Sequence, residues 1–410
     1  MMTNSQVADS LDLSFDLQSM EFIRDPYPTY HRMRATAPMY RSPQGFVAAS
    51  RHEDVLTVLR DKRFSKDLSQ QMIRRYGATA LEQPIIRTVC EWMMRKDPPD
   101  HTRLRSLIAS AFAAKRIETR REEIQRVAER MIDELIPRRE IDLMKDFACR
   151  FPVIVICDLI GIPENDRDYV CTTAGRIGGR QLDVAPFTAE GLAEANARAT
   201  GLADYFRQLC NQRRQHPLDD LITHLVHARD REDSLTEEEL ISNIILLFIA
   251  GHETVVNQIG NGLLALHRNQ DQLAFLKENP DQIENAAEEL LRYDTSVQLT
   301  ARVATEDLRI GGADIRKGEK VMCLLGAANR DPDVYIDPDR LDLQRKDIQT
   351  MSFGGGPHFC VGAQLARLEG EVAIGTLIQR IPNLKIRNVE DPDWRNSFAL
   401  RGLNKLPAVW

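Results

Sequence analysis

Apolar residues recur at the three-to-four-residue spacing of amphipathic helices from about residue 26 to residue 380, whereas alternation with a period of two is confined to short pieces. The strand-like pieces are residues 39–50, residues 299–325 with a Gly311-Gly312 turn within them, and the tail after Ile381. This pattern predicts a mainly α protein with minor β structure. No internal repeat, low-complexity tract or Gly/Ser linker interrupts it, so residues 21–410 read as a single domain behind a flexible segment, residues 1–20. The clearest helix starts at Thr236, a candidate N-cap, with Glu239 placed to complete a capping box, and continues through NIILLFIAGHETVVNQIGNGLLAL. Asn243, His252, Glu253, Asn257, Gln258 and Asn261 interrupt that run before about 20 apolar residues accumulate. It therefore reads as a helix buried in protein rather than in lipid.

Composition adds exclusions more than it adds identity. With 43% hydrophobic and 28% charged residues among 410, the chain has the balance of an ordinary packed protein. A net charge of −7, with no dominant basic block, argues against a general affinity for nucleic acid. The first 20 residues are polar and acidic, without the basic and then apolar stretches of a secretion signal, which favours a cytoplasmic protein without a membrane anchor. The seven cysteines, at 90, 149, 157, 171, 210, 323 and 360, include no C-x-x-C pair, so neither a disulfide framework nor a zinc cluster is expected. Cys149 and Cys157, in the apolar stretch CRFPVIVICDLIGIP, read as small core residues.

Candidate chemistry concentrates in FGGGPHFCVGAQLARLEG, residues 353–370: a glycine turn, a cysteine, then a helix-forming segment. A cysteine at a helix N-terminus meets free backbone N–H groups and the positive end of the helix dipole, which favour the metal-ligating thiolate. Gly354, Gly355, Gly356 and Gly362 would let the backbone approach a large flat group, and the combination suits a haem. A glycine turn with an incidental core cysteine is the competing reading, while the lack of Lys-Ser or Lys-Thr after the glycines excludes a phosphate loop. Read as F-x-x-G-x-x-x-C-x-G, the residues Phe353, Gly356, Cys360 and Gly362 resemble the ligand loop of the cytochromes P450, in which a cysteine thiolate holds the haem iron.

Further segments extend that resemblance over nearly the whole chain, from RDPYPTYHRMR through LGAANRDP to the closing LRGLNKLPAVW. Glu289 and Arg292 stand one helical turn apart and able to pair. The resemblance makes them part of a buried structural network that draws in Arg340 of DPDRLD. Ala250-Gly251-His252-Glu253-Thr254 puts an acid and a hydroxyl in the long apolar helix, where a solvated notch or a Thr bonded to the carbonyl four residues back would also satisfy them. By resemblance the segment is the oxygen-binding groove, with Thr254 and Glu253 as the catalytic pair that delivers protons. His101 and Arg105 share one helix face in DPPDHTRLR, and with Arg302 and His358 they resemble the residues that hold the haem propionates. Ser296 and Leu341 depart from the pattern, replacing a common proline and phenylalanine.

The resemblance implies haem b as cofactor and a reaction in which O2, two electrons and two protons oxygenate a small apolar organic substrate. No G-x-G-x-x-G follows a strand, so electrons from NAD(P)H are expected through an external reductase with a ferredoxin or flavodoxin. Arg103, Lys115, Arg116, Arg120 and Arg367 could form a basic docking face, or be no more than solvated helix surface. Trp92, Met93, Val297 and Phe398, with the variable segments 66–95 and 171–194, are the candidate substrate pocket. The pattern is most similar to monomeric bacterial members that hydroxylate or epoxidise polyketides and macrolides. Fatty-acyl oxidation, direct use of peroxide, redox-neutral rearrangement and a non-catalytic haem sensor are the alternatives.

Overall fold

The capping box written in the sequence is formed: Thr236 Oγ1 accepts the Glu239 N–H at 3.1 Å, and Glu239 Oε2 accepts the Thr236 N–H at 2.8 Å. The helix it starts is the axis of the fold. In the computed structural model, which describes residues 19–175, 187–232 and 235–410, nine helices position the site. They are α1 (His52–Arg60), α2 (Asp100–Ala109), α3 (Arg121–Leu135), α4 (Phe151–Ile160), α5 (Arg167–Ala174), α6 (Ala189–Gln215), α7 (Glu237–Arg268), α8 (Ile283–Tyr293) and α9 (Ala363–Arg380). Residues 1–18 of the expected N-terminal segment lie outside the described residues, while Ser19 caps a short helix that begins at Met20.

α7 packs on α4, α6, α8 and α9 and is buried from Glu239 to Phe248 and again from Val255 to His267. It is long and apolar enough to cross a membrane, but helices of this protein cover those flanks. Between the flanks, Ala250 is exposed and Gly251 to Thr254 are half-buried, so an opening lies at the middle of the central helix. α4 comes close here because residue 251 has no side chain: a Cβ on Gly251 would sit 2.7 Å from Ile156 Cδ1.

The strands fall in the three expected regions, with two additions. Strands β1 (Met39–Arg41), β2 (Phe46–Ala49), β3 (Phe64–Ser65), β5 (Leu299–Ala304) and β8 (Lys320–Leu324) form a five-stranded sheet in the order β1-β2-β8-β5-β3. β2 and β8 are parallel and the other neighbours antiparallel. β4 (Glu140–Asp142), β12 (Pro407–Val409) and β9 (Lys385–Ile386) make a second sheet. β6 (Leu308–Ile310) pairs with β7 (Ala313–Ile315) across the glycine turn, and β10 (Asp393–Trp394) with β11 (Leu403–Lys405). The principal apolar core follows the helices, and smaller ones lie beneath the five-stranded sheet. Cys157 is in the principal core as expected, but Cys149 is exposed: it lies just before α4, between a short π-helical turn and the helix proper.

Candidate functional site

The loop before α9 is shaped by hydrogen bonds that close it on itself, Gly354 N to Met351 O at 2.8 Å and Cys360 N to Phe353 O at 3.0 Å. Gly356 adopts φ +66°, and a Cβ there would lie 2.3 Å from the carbonyl oxygen of Leu59 at the end of α1, so glycine is required both for the turn and for the contact. Gly362, with ordinary backbone angles and open space beside it, is the N-cap residue of α9. Phe353 is buried, with the Arg367 guanidinium 4.5 Å from its ring centroid. Cys360 is accessible to a water-sized sphere, yet burial pushes its thiol pKa up; the Gly362 N–H bonded to the sulfur and the charges of Arg105 and Arg367 pull it down.

Two imidazoles and several basic side chains converge close to this loop. The His101 ring of α2 lies 4.1 Å from that of His358, centroid to centroid, and its buried Nδ1 has no partner among the described residues. His358 is driven down to about 2 by burial and then by the charges of His101, Arg302, Lys66 and Arg105. Arg302, buried on β5, is lowered by burial, although its Nη1 donates to Ala301 O at 3.0 Å. Asp97 offsets these charges only in part, and its oxygens accept from Ser65 Oγ and from the Lys66 N–H. Burial keeps the imidazoles of His101 and His358 neutral, so the charge here is that of Arg105, Arg302 and Lys66, and with the two rings as hydrogen-bond donors these residues fit a buried dianion such as a pair of haem carboxylates. Lys66 was not legible as part of this group; its Nζ is held by Thr300 Oγ1 at 2.9 Å, from another strand.

At the opening in α7, Thr254 Oγ1 donates to Ala250 O at 3.2 Å, the back-bonded arrangement. Glu253 is not sealed in: Arg395, just after β10, reaches its Oε1 with Nη2 at 3.2 Å and Asn257 Oδ1 with Nη1 at 3.4 Å. Sequence reasoning missed Arg395 because nothing local marks a cation 142 residues away in the chain as the partner of this acid.

Glu289 and Arg292 form the expected pair, wholly buried, through Nε to Oε2 at 2.6 Å and Nη2 to Oε1 at 2.7 Å. The third arginine is a correction. Arg345, not Arg340, places its Nε 3.2 Å from Glu289 Oε1, and Arg340 is exposed and supplies only its backbone carbonyl, to Arg292 Nη2 at 3.2 Å. The chain turns at Asp337, with φ +47°, so the 337–340 segment presents carbonyls inward and the guanidinium comes from further along. The basic docking face is also reduced. Arg103 is paired with Glu239 and Asp100, Arg116 and Arg120 with Asp219, and Arg367 with Glu288, while Lys115 is exposed.

Of the candidate pocket residues, Trp92 and Met93 are buried and held on α7, where Asn243 Oδ1 accepts the Met93 N–H at 2.8 Å. Val297 bridges to Leu400, two residues from Phe398, which packs with the small core around Tyr30. The segment 69–90 is tied to α6: Asn196 donates to Gln83 Oε1 at 2.6 Å and accepts the Ile85 N–H at 3.1 Å. Residues 176–186 of the other specificity segment lie outside the described residues.

A cysteine in a glycine loop before a buried helix, arginines and imidazoles beside it, and an acid–alcohol pair at a gap in the central helix fit a haem-thiolate protein. The family model for cytochrome P450 matches residues 192–402. The chain is 40% identical to cytochrome P450 107B1 of Saccharopolyspora erythraea over 99% of both chains. It is 38% identical to the polyketide biosynthesis cytochrome P450 PksS of Bacillus subtilis, over 96% of this chain and 98% of that one. Its fold superposes on P450BioI, crystallised with an acyl carrier protein bearing hexadec-9Z-enoic acid, with a TM-score of 0.87 at 37% identity, covering 95% and 99% of the two chains. The chain belongs to the cytochrome P450 family, with the helical fold that the ligand loop implied. It is a monooxygenase that binds haem b and draws electrons from NAD(P)H through external redox partners.

Proposed function

We propose that this P450 hydroxylates or epoxidises an extended apolar substrate of polyketide or macrolide type, and that Cys360 is the residue whose thiolate would hold the haem iron. The observation that carries the ligand assignment is an accessible Cys360 sulfur inside a dense surround, beside His101, Arg105, Arg302 and His358. Bound haem supplies the iron at which O2 is activated. The protein's own part is to hold, orient and protonate. The Gly362 N–H tempers the charge on the sulfur, and Arg105, Arg302 and Lys66, with the neutral imidazoles of His101 and His358 as hydrogen-bond donors, would hold the haem carboxylates. Thr254 Oγ1, bonded only weakly to Ala250 O, is free to turn and pass a proton inward, and Glu253, half-exposed and steadied by Arg395, resupplies it. Ala250, Phe353, Gly356 and Gly362 shape the haem slot, and Trp92, Met93, Val297 and Phe398 orient the substrate.

The polyketide reading rests on relatives such as PksS. A fatty-acyl substrate, free or carried on acyl carrier protein, is the second reading, favoured by the ligand in the P450BioI structure. The electron donor in this proposal is a ferredoxin or flavodoxin, and the enzyme works as a cytoplasmic monomer.

The reduced, carbon-monoxide-bound difference spectrum of the wild type and of Cys360→Ser tests the ligand. A red-shifted thiolate-type Soret band, lost in the variant, is expected; its absence from folded, haem-loaded wild type would overturn the assignment. Soret titrations with a macrolactone, a free C16 fatty acid and the same acyl group on carrier protein then separate the substrate readings.

A further inference from the structure

Electrons reach this enzyme from an external protein, and electron transfer falls steeply with distance, so the donor must seat where little protein covers the iron ligand. The ligand loop meets that condition, since Pro357, Phe359 and Cys360 are all exposed. Phe359, 39% exposed, lies 6.2 Å from Phe353 between ring centroids, and Phe353 is the ring that the Arg367 guanidinium covers.

The two flanks of Phe359 differ in charge. On one side α1 ends against the loop: a Cβ on Gly356 would sit 3.1 Å from the Arg60 Cα. Arg60 and Lys62 are exposed and neither has an acidic partner among the described residues, while the acid between them, Asp61, is held by Arg63 Nη2 at 2.7 Å. On the other side a cleft of about 450 Å³ carries Glu118, Glu284, Glu288 and Glu371 against two cations, Arg121 and Arg367. Arg121 is engaged by Glu118 and Glu371, and Arg367 by Glu288, which leaves Glu284 exposed and unpaired among the described residues. Of the arginines that the sequence suggested for docking, Arg103 is likewise engaged by Glu239, and Arg116 and Arg120 by Asp219.

We propose that the electron donor docks at the end of α1, with an acidic patch on Arg60 and Lys62 and an apolar contact on Phe359. The donor is an electron-transfer protein whose carboxylates lie to one side of its redox centre, because carboxylates on the other side would meet those of the cleft. Arg60 and Lys62 speed the encounter and fix which way the donor faces, and a guanidinium whose charge a carboxylate already cancels adds little to that field. Phe359 supplies the small apolar centre of the contact. The proposal rests on Cys360 as the iron ligand, which dithionite checks separately because it reduces the iron without a docked protein.

The test follows the reduced, carbon-monoxide-bound band of the holoenzyme after NADPH is added with a plant-type 2Fe–2S ferredoxin and its reductase, at rising ferredoxin concentration. Arg60→Glu and Lys62→Glu should each raise the half-saturating concentration about tenfold at low salt, and high salt should shrink the difference. Phe359→Ala should raise it at either salt concentration. Arg116→Glu should shift it less than about twofold, and Glu284→Lys should lower it. Dithionite should give the same thiolate-type band in every variant; its absence from the wild type would sink the Cys360 assignment and this proposal with it. Where that band is present, three results would overturn the docking site alone: Arg116→Glu weakening ferredoxin as much as Lys62→Glu, both α1 variants behaving as wild type, or failure of both this ferredoxin and an acidic flavodoxin to reduce the wild type.

Discussion

Arg345 does several jobs from one side chain: its Nε meets Glu289, Nη1 donates to Ile336 O at 2.7 Å, and Nη2 to Asp337 O at 3.1 Å. Arg345→Ala should therefore cost about 2 kcal/mol, since charged hydrogen bonds contribute roughly 1.5–3 kcal/mol each and Glu289 keeps Arg292. Arg340→Ala should stay within about 0.5 kcal/mol, as an exposed substitution. Urea unfolding of the two haem-loaded variants checks the ranking. Glu289 and Arg292 were legible because their partnership is written in a local spacing, whereas the loop that delivers Arg345 follows from the turn at Asp337, which no motif encodes. Glu369 was not legible either. This fully buried carboxyl of α9 has no hydrogen-bond partner among the described residues, and burial raises its pKa well above the ordinary glutamate range. The unfolded chain releases that proton near pH 4.3 and the folded chain does not, so stability falls by about 1.4 kcal/mol per pH unit from there until the folded pKa is reached. Glu369→Gln removes this slope. It should be more stable than wild type at pH 7, and its advantage should vanish as the pH falls below about 4; equal pH dependence of the two unfolding midpoints would mean that Glu369 ionises in the folded state.

α7 shows how an element can be read correctly and yet incompletely. Its cap, length and burial follow from the sequence, and so does the reason it is not continuous apolar surface: Asn243 holds Met93, Asn261 donates to Arg401 O at 3.1 Å, and His252 bonds Phe248 O at 2.7 Å. What periodicity does not show is the neighbour that occupies the notch. Ile156 lies where a Cβ on Gly251 would go, so Gly251→Ala should lose about 1–3 kcal/mol to overpacking despite alanine's better helix propensity. Ile156→Ala deletes both clashing atoms, Cδ1 and Cγ1, and the double variant should recover most of the overpacking loss in a double-mutant cycle. Additive effects would show that the notch yields elsewhere. β3 and β4 escaped the sequence reading for another reason: two or three residues carry too little alternation to register, and their pairing is set by partners at 303–304 and 407–409.

At the scale of the molecule, the cation cluster makes folding and cofactor binding pull on the same residues. Arg302, on the five-stranded sheet, lies near His358 of the ligand loop and His101 of α2, so three distant chain segments bring a buried guanidinium and two neutral imidazoles to one place. Each segment alone reads as an unremarkable surface charge, which is why only the resemblance picked out four of these residues and nothing picked out Lys66. Without haem, burying Arg302 costs several kcal/mol that Asp97 offsets in part. With haem bound as proposed, the same charge would meet a carboxylate, and ligand binding would stabilise the fold by mass action. Arg302→Gln should thus act with opposite signs in the two forms, raising the thermal midpoint of the haem-free protein while speeding haem transfer to apomyoglobin by about tenfold for each 1.4 kcal/mol of lost affinity. A variant that destabilises both forms equally would assign Arg302 to the sheet, through its bond to Ala301 O, rather than to the cofactor.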